Sequence, residues 1–221
     1  MSTPSDPALD APSFARRERA DLADLFDEVG PDAPTLCAGW NTTALVAHLV
    51  VREGHPSAAG LVLPPLSGWM NSQQERLTAK PYEGLVDRFR QGPPVWSLMR
   101  LPGAESALNT FEHFVHHEDV RRAQPSWVAR DLTVDDQRTL WDQLARRIRL
   151  FVRKSPVPVR VQAPNLGLVS VGDTDLPSAI TLTGDPAELV LYLHGRRDQA
   201  TIAVEGIAES VERWQRHRLA V

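Results

Sequence analysis

The chain is nearly devoid of cysteine: among 221 residues there is one, Cys37. No internal disulfide can form, so the core must hold by packing alone. With no export signal in view, the expected compartment is the reducing cytoplasm. Lysine is almost missing too, since only Lys80 and Lys154 among 24 basic residues are lysines. The basic residues are outnumbered by 28 acidic ones, and a formal charge of −4 gives no basic footprint for nucleic acid. No apolar run approaches the roughly 20 residues that a bilayer-crossing helix needs, so no membrane span is expected. The opening MSTPSDPALDAPS has neither a basic nor an apolar stretch. It reads as a disordered terminus over residues 1–10 rather than as a signal peptide.

What is present is ordinary for a globular protein: 42% hydrophobic and 24% charged residues. The length suffices for one large domain or two smaller ones. Leu22, Leu25, Phe26 and Val29 recur at helical spacing, which predicts a first helix over Phe14–Val29 stopped by Gly30-Pro31. Asn41, Thr42 and Thr43 offer N-caps for a second helix running to Gly54 or His55, where Pro56 closes it. Residues 57–103 read as a long crossover with a short helix at Glu83–Gln91 and a turn near Trp96–Arg100. Segments of this length are often functional. A third helix is expected over Ala104–Ala123. A fourth is expected from Thr133, with Asp135 and Asp136 in its first turn and Leu140, Leu144, Ile148 and Phe151 as its stripe. Beyond Ser155-Pro156 the pattern changes to three strands, in VPVRVQAP, AITLTG and TIAVEG, with helices at DPAELVLYLHG and Gly206–His217. The expected class is therefore mainly α: a four-helix domain over 11–155, then a small α+β domain over 156–221.

Chemistry concentrates in EHFVHHEDVRRA, which holds three of the seven histidines. Two i,i+4 pairs compete there, Glu112/His116 and His113/His117. Phased at 100° per residue against Leu108, Phe111, Phe114 and Val115, the helix turns Glu112, His116 and Asp119 toward its apolar arc. His113, His117 and Glu118 point away and are expected on a solvated face. A carboxylate beside an imidazole at a buried edge needs a partner, and a divalent ion is an efficient one. The third donor is expected from His48, set in the apolar string ALVAHLVV. Three N/O donors would leave a coordination position open for water or substrate, the pattern of a catalytic zinc site, although such donors accept several ions. Asp119 would hydrogen-bond a ligand or join the shell. The plainer alternatives are a core histidine bonded to a carbonyl for His48, and a hydrogen-bonded pair for Glu112 and His116. Cys37, beside Trp40, is expected to be packed rather than nucleophilic, and His55 to sit at a helix end.

Two strings carry a resemblance. PTLCAGWNTTALVAHLV contains W-x-x-x-x-L-x-x-H, and NTFEHFVHHEDVRRA contains E-x-x-x-H-H-x-D. Together they resemble the N-terminal metal-binding domain of mycothiol-dependent maleylpyruvate isomerases, within the wider DinB-like four-helix family. The resemblance covers residues from about 11 to 154 and places the metal on His48, Glu112 and His116. The segment LTGDPAELVLYLHGRRDQATIAVEG is similar to the C-terminal domain of the same proteins, where an arginine helps to hold substrate or thiol. That role falls on Arg196, with Arg197 one register step away; the alternative is a surface arginine following a helix end. HHEDVRRAQPSW marks a metal-binding subgroup of the family and names no substrate.

The resemblance implies a thiol-dependent isomerase or S-transferase. Its metal, zinc foremost, would activate a thiol such as mycothiol, or a water, toward an electrophilic substrate. A metal-dependent hydrolase with Asp119 or His117 moving the proton, and a non-enzymatic metal- or ligand-binding module, are the competing expectations. Monomer and homodimer are both compatible with the sequence.

Overall fold

A computed structural model describes residues 12–54, 67–95, 97, 104–217 and 219. The expectations for the disordered 1–10 segment, for His55 and for most of the Trp96–Arg100 turn lie outside those residues. The protein is mainly α-helical, with a small sheet toward its C-terminal end. It divides into two units, one running to Val128 and the other from Ala129.

The first unit contains α1 (Phe14–Val29), α2 (Thr42–Gly54), α3 (Ser67–Thr78), α4 (Tyr82–Gln91) and α5 (Ala104–Arg121). Helix α1 opens on Ser13, whose hydroxyl accepts from the Arg16 amide, and ends at Gly30 with φ +79°. It packs along α5 and against α4, while α2 packs on α3 and α4. Leu22 and Phe26 of α1, Leu45 and Leu49 of α2, Leu85, Val86 and Phe89 of α4, and Val120 of α5 share one buried cluster. Phe26 meets Phe89 edge-on, with ring centroids 6.1 Å apart. The crossover thus supplies a core helix, and before it α3, which the sequence pattern did not suggest. Helix α3 is tied to α2 by the Gln74 amide, which donates to the Ala44 carbonyl.

The second unit begins with α6 (Val134–Val152), capped by Thr133, whose hydroxyl accepts from the Asp136 amide at 3.2 Å. The sequence grouped this helix with the ones before it and set the boundary near residue 155. In the structure α6 packs on α7 (Pro186–Leu193) and on the sheet. The Gln137 side chain accepts from the Ala187 amide, and the Phe151 ring meets the His194 ring at 4.7 Å. The sheet has four strands, β1 (Val159–Ala163), β2 (Gly167–Val171), β3 (Ile180–Thr183) and β4 (Ala203–Glu205), in the order β2-β1-β3-β4. Strands β1 and β3 are parallel, and β2 and β4 run antiparallel at the edges. The added strand β2 begins at Gly167, φ +157°, where a Cβ would stand 3.0 Å from the Trp141 indole nitrogen. Only glycine lets that strand lie so close to α6. Helix α8 (Ala208–Arg216) buries Trp214 completely.

Candidate metal centre

The loop between α1 and α2 is fixed before it reaches the site. The Thr42 and Thr43 hydroxyls donate to the carbonyls of Gly30 and Pro31, and Asn41 accepts from the Ala44 amide as the cap of α2. His48 then sits nearly two turns into α2, between the fully buried Leu45 and Leu49, with the Trp40 ring 5.0 Å from its own. One turn further, Arg52 reaches across to α5. Its guanidinium donates to Asn109 Oδ1 at 2.6 Å and to the Leu108 carbonyl at 2.9 Å. This staple sets the separation at which His48 of α2 meets Glu112 of α5.

His48, Glu112 and His116 come together. His48 Nε2 lies 3.3 Å from Glu112 Oε1, and His116 Nε2 lies 3.4 Å from the same oxygen. One donor atom from each of the three falls within 4.8 Å of the others. The two rings stand edge to face, centroids 5.7 Å apart. The side chains of His48 and Glu112 keep 20% of their surface exposed and that of His116 keeps 12%.

Arg52 is the site residue that helix phasing missed. Its Nε lies 3.0 Å from Glu112 Oε1, an ion pair in which the N–H is not aligned for a hydrogen bond. Burial pushes the Glu112 carboxyl up. The Arg52 cation, with hydrogen bonds from His116 and His48, outweighs that and holds it well below the ordinary carboxylate range. Burial likewise opposes a charge on His116, but Asp119, Cys37 and Glu112 together set it well above the ordinary imidazole value. Without an ion, these neighbours favour the protonated ring, which lies between two carboxylates.

Asp119 is fully buried, and its Oδ2 accepts from His116 Nδ1 at 2.9 Å and from the Cys37 thiol at 3.2 Å. It fixes the ring so that Nε2 faces Glu112 and His48, the arrangement a metal-ligating histidine requires. Burial removes it from direct proton exchange with solvent.

The other face of α5 departs from expectation. His113 and Glu118 are buried, and so is His117. The reason is α1, which lies along that face. His113 Nδ1 bonds the Ala15 carbonyl at 2.8 Å and Nε2 bonds Glu53 Oε1 at 2.7 Å. Both ring nitrogens lie against oxygen atoms. Arg19 also donates to Glu53 at 2.8 Å. Burial raises the Glu53 carboxyl, and the bond and charge of His113 with the Arg19 cation overcome this and lower it. His117 Nδ1 pairs with Glu18 at 3.0 Å, and Glu118 takes Arg121 and Arg122. These groups pair with one another rather than with water.

Arg196 and Arg197 belong to the second unit. Arg196 donates to the His194 carbonyl at 2.5 Å. Arg197 lies over the rings of Tyr192 and Trp214, 5.2 and 5.1 Å from their centroids, and donates to the carbonyls of Trp214 and Gln215. These contacts make Arg197 a clamp between α7 and α8.

No protein-family model matches the chain, and no curated protein or solved structure matches it either.

Proposed function

We propose that this protein binds a divalent cation through His48, Glu112 and His116 and uses it to activate a low-molecular-weight thiol, as a DinB-like isomerase or S-transferase. The observation that carries the reading is the convergence of two imidazole nitrogens on one carboxylate oxygen, at 3.3 and 3.4 Å, from separate helices. Zinc suits these nitrogen and oxygen donors, and three of them leave a position open.

Charge decides what would fill that position. Glu112 and Asp119 are opposed by Arg52 and, without an ion, by the imidazolium of His116. A doubly charged ion in place of the His116 proton leaves one net positive charge, which an anionic ligand cancels. When bound, such an ion makes a thiol or a water anionic at neutral pH. His48 and Glu112 hold the ion's place, Asp119 orients His116, and Arg52 keeps Glu112 ionised. Mycothiol, a bacterial thiol, is the thiol that the sequence resemblance brings.

The test begins with elemental analysis of purified wild type and His48→Ala. A near-stoichiometric divalent ion in the first and its loss from the second are expected. Cobalt-loaded Cys37→Ser protein is then titrated with mycothiol, so that any sulfur-to-metal absorption arises from the added thiol. A new band supports the proposal; an unchanged spectrum rules out thiol activation. Turnover of esters or amides without thiol would point to hydrolysis instead.

A further inference from the structure

The His116 ring has a second side. Its Nδ1 faces Asp119 Oδ2 at 2.9 Å and Cys37 Sγ at 3.7 Å, and Cys37 Sγ stands 3.2 Å from Asp119 Oδ2. We propose that Cys37, His116 Nδ1 and Asp119 form a second cation site, for a thiophilic divalent ion, that excludes an ion from the His48 side.

Three observations carry it. The three donor atoms lie within 4.8 Å of one another, and their edges approach the about 3.3–3.6 Å of a tetrahedral face built from ordinary zinc bond lengths. Asp119 is fully buried, so its charge needs partners from the protein or from an ion, not from water. The thiol is also held in place. The Cys37 amide donates to the Thr35 hydroxyl, which itself donates to the Trp40 carbonyl, and the neighbouring Leu36 amide donates to the Asp119 carbonyl at 3.0 Å.

The two sides differ in softness. The His48 side offers nitrogen and oxygen only, whereas this side adds sulfur, which selects thiophilic ions. They also share a ring that, when neutral, has one lone pair. An ion on Nδ1 displaces the Cys37 S–H proton and the Nδ1 proton into solvent. Nε2 keeps its proton, donates it to Glu112, and is closed to a second ion. The exclusion rests on the proposed function, but the second site itself stands if that reading fails, because its donors include neither His48 nor Glu112.

Cadmium titration of the metal-free full chain tests it, followed by the ultraviolet thiolate-to-cadmium band. The chain's single cysteine makes that band report on Cys37 alone. Wild type should develop the band and saturate. Asp119→Asn, checked for a cooperative melt, should need at least about tenfold more cadmium, roughly the weight of one charged ligand. His48→Ala should keep the band at the same or lower cadmium, since it loses only the competing side. No band in wild type, an unchanged midpoint in Asp119→Asn, or loss of the band in folded His48→Ala would each overturn the proposal. Whether His48→Ala loses its resident ion is read separately, by elemental analysis, and bears only on the proposed function.

Discussion

Glu112 Oε1 receives Arg52, His48 and His116 within 3.4 Å, so one oxygen is shared by a fixed cation and two titratable rings. Arg52 should therefore act in opposite directions on folding and on binding of the proposed ion. Arg52→Gln removes a donor from Asn109 Oδ1 and from the Leu108 carbonyl and leaves Glu112 short of a cation. Metal-free stability should fall by about 3 kcal/mol, the low end for a broken buried pair, because Glu112 is partly exposed. Urea denaturation in chelator measures it. The same variant should bind a divalent ion more tightly, since a positive charge 3.0 Å from the ligand oxygen is gone. Weaker binding by calorimetry would mean that Arg52 positions Glu112 more than it competes for it. At this scale the donors were legible in the sequence, because a histidine inside ALVAHLVV and an i,i+4 Glu/His pair each have a phase. Arg52 was not legible. An arginine near a helix end reads as solvated until a partner helix is known.

Helix α5 has no solvent face where His113 and His117 sit, because α1 covers one side while α2 reaches the other through His48 and Arg52. A single-helix phase finds one buried arc. It cannot find a second arc made of polar residues that pair across to Glu18 and Glu53. Helices α1, α2, α5 and α6 were legible from spacing and stop signals, and Asn41 caps α2 as the sequence implied. Helix α3 has few apolar residues at helical spacing, and β2 opens on a glycine, so neither shows a period. Helix α4 was legible as a helix, but its place in the core was not. Phe89→Ala tests that place: Phe89 is 1% exposed within the main cluster, so about 3–5 kcal/mol should be lost. A loss under about 1 kcal/mol in urea melts would return α4 to the surface. Thr133→Ala should cost about 1 kcal/mol through the cap of α6. Its check is the Tm, and an unchanged Tm would show the cap to be unimportant.

For the whole molecule, the shifted groups fix how stability follows pH. Glu112 and Glu53 have folded pKa values below the unfolded carboxylate value of about 4.5. Their contribution is complete above about 4.5 and is lost as pH falls through the lower folded values. His116 has a folded pKa above the unfolded imidazole value of about 6.5. Its contribution is complete below about 6.5 and is lost as pH rises through the higher folded value. Both sets are intact only between those limits, so the metal-free protein should show its highest Tm at mildly acidic pH. The proposed ion should reverse the high-pH limb, because it would compete with a proton for the His116 nitrogen. Its stabilisation, about 2.7 kcal/mol at a hundredfold excess over Kd, should vanish in acid and grow as pH rises. Melts from pH 4 to 9, in chelator and in zinc, should therefore diverge toward alkaline pH, with the zinc-loaded optimum the higher of the two. Parallel curves would show that the ion and the His116 proton do not compete. The imidazolium between Glu112 and Asp119 would then be the working state of the site rather than the state an ion replaces.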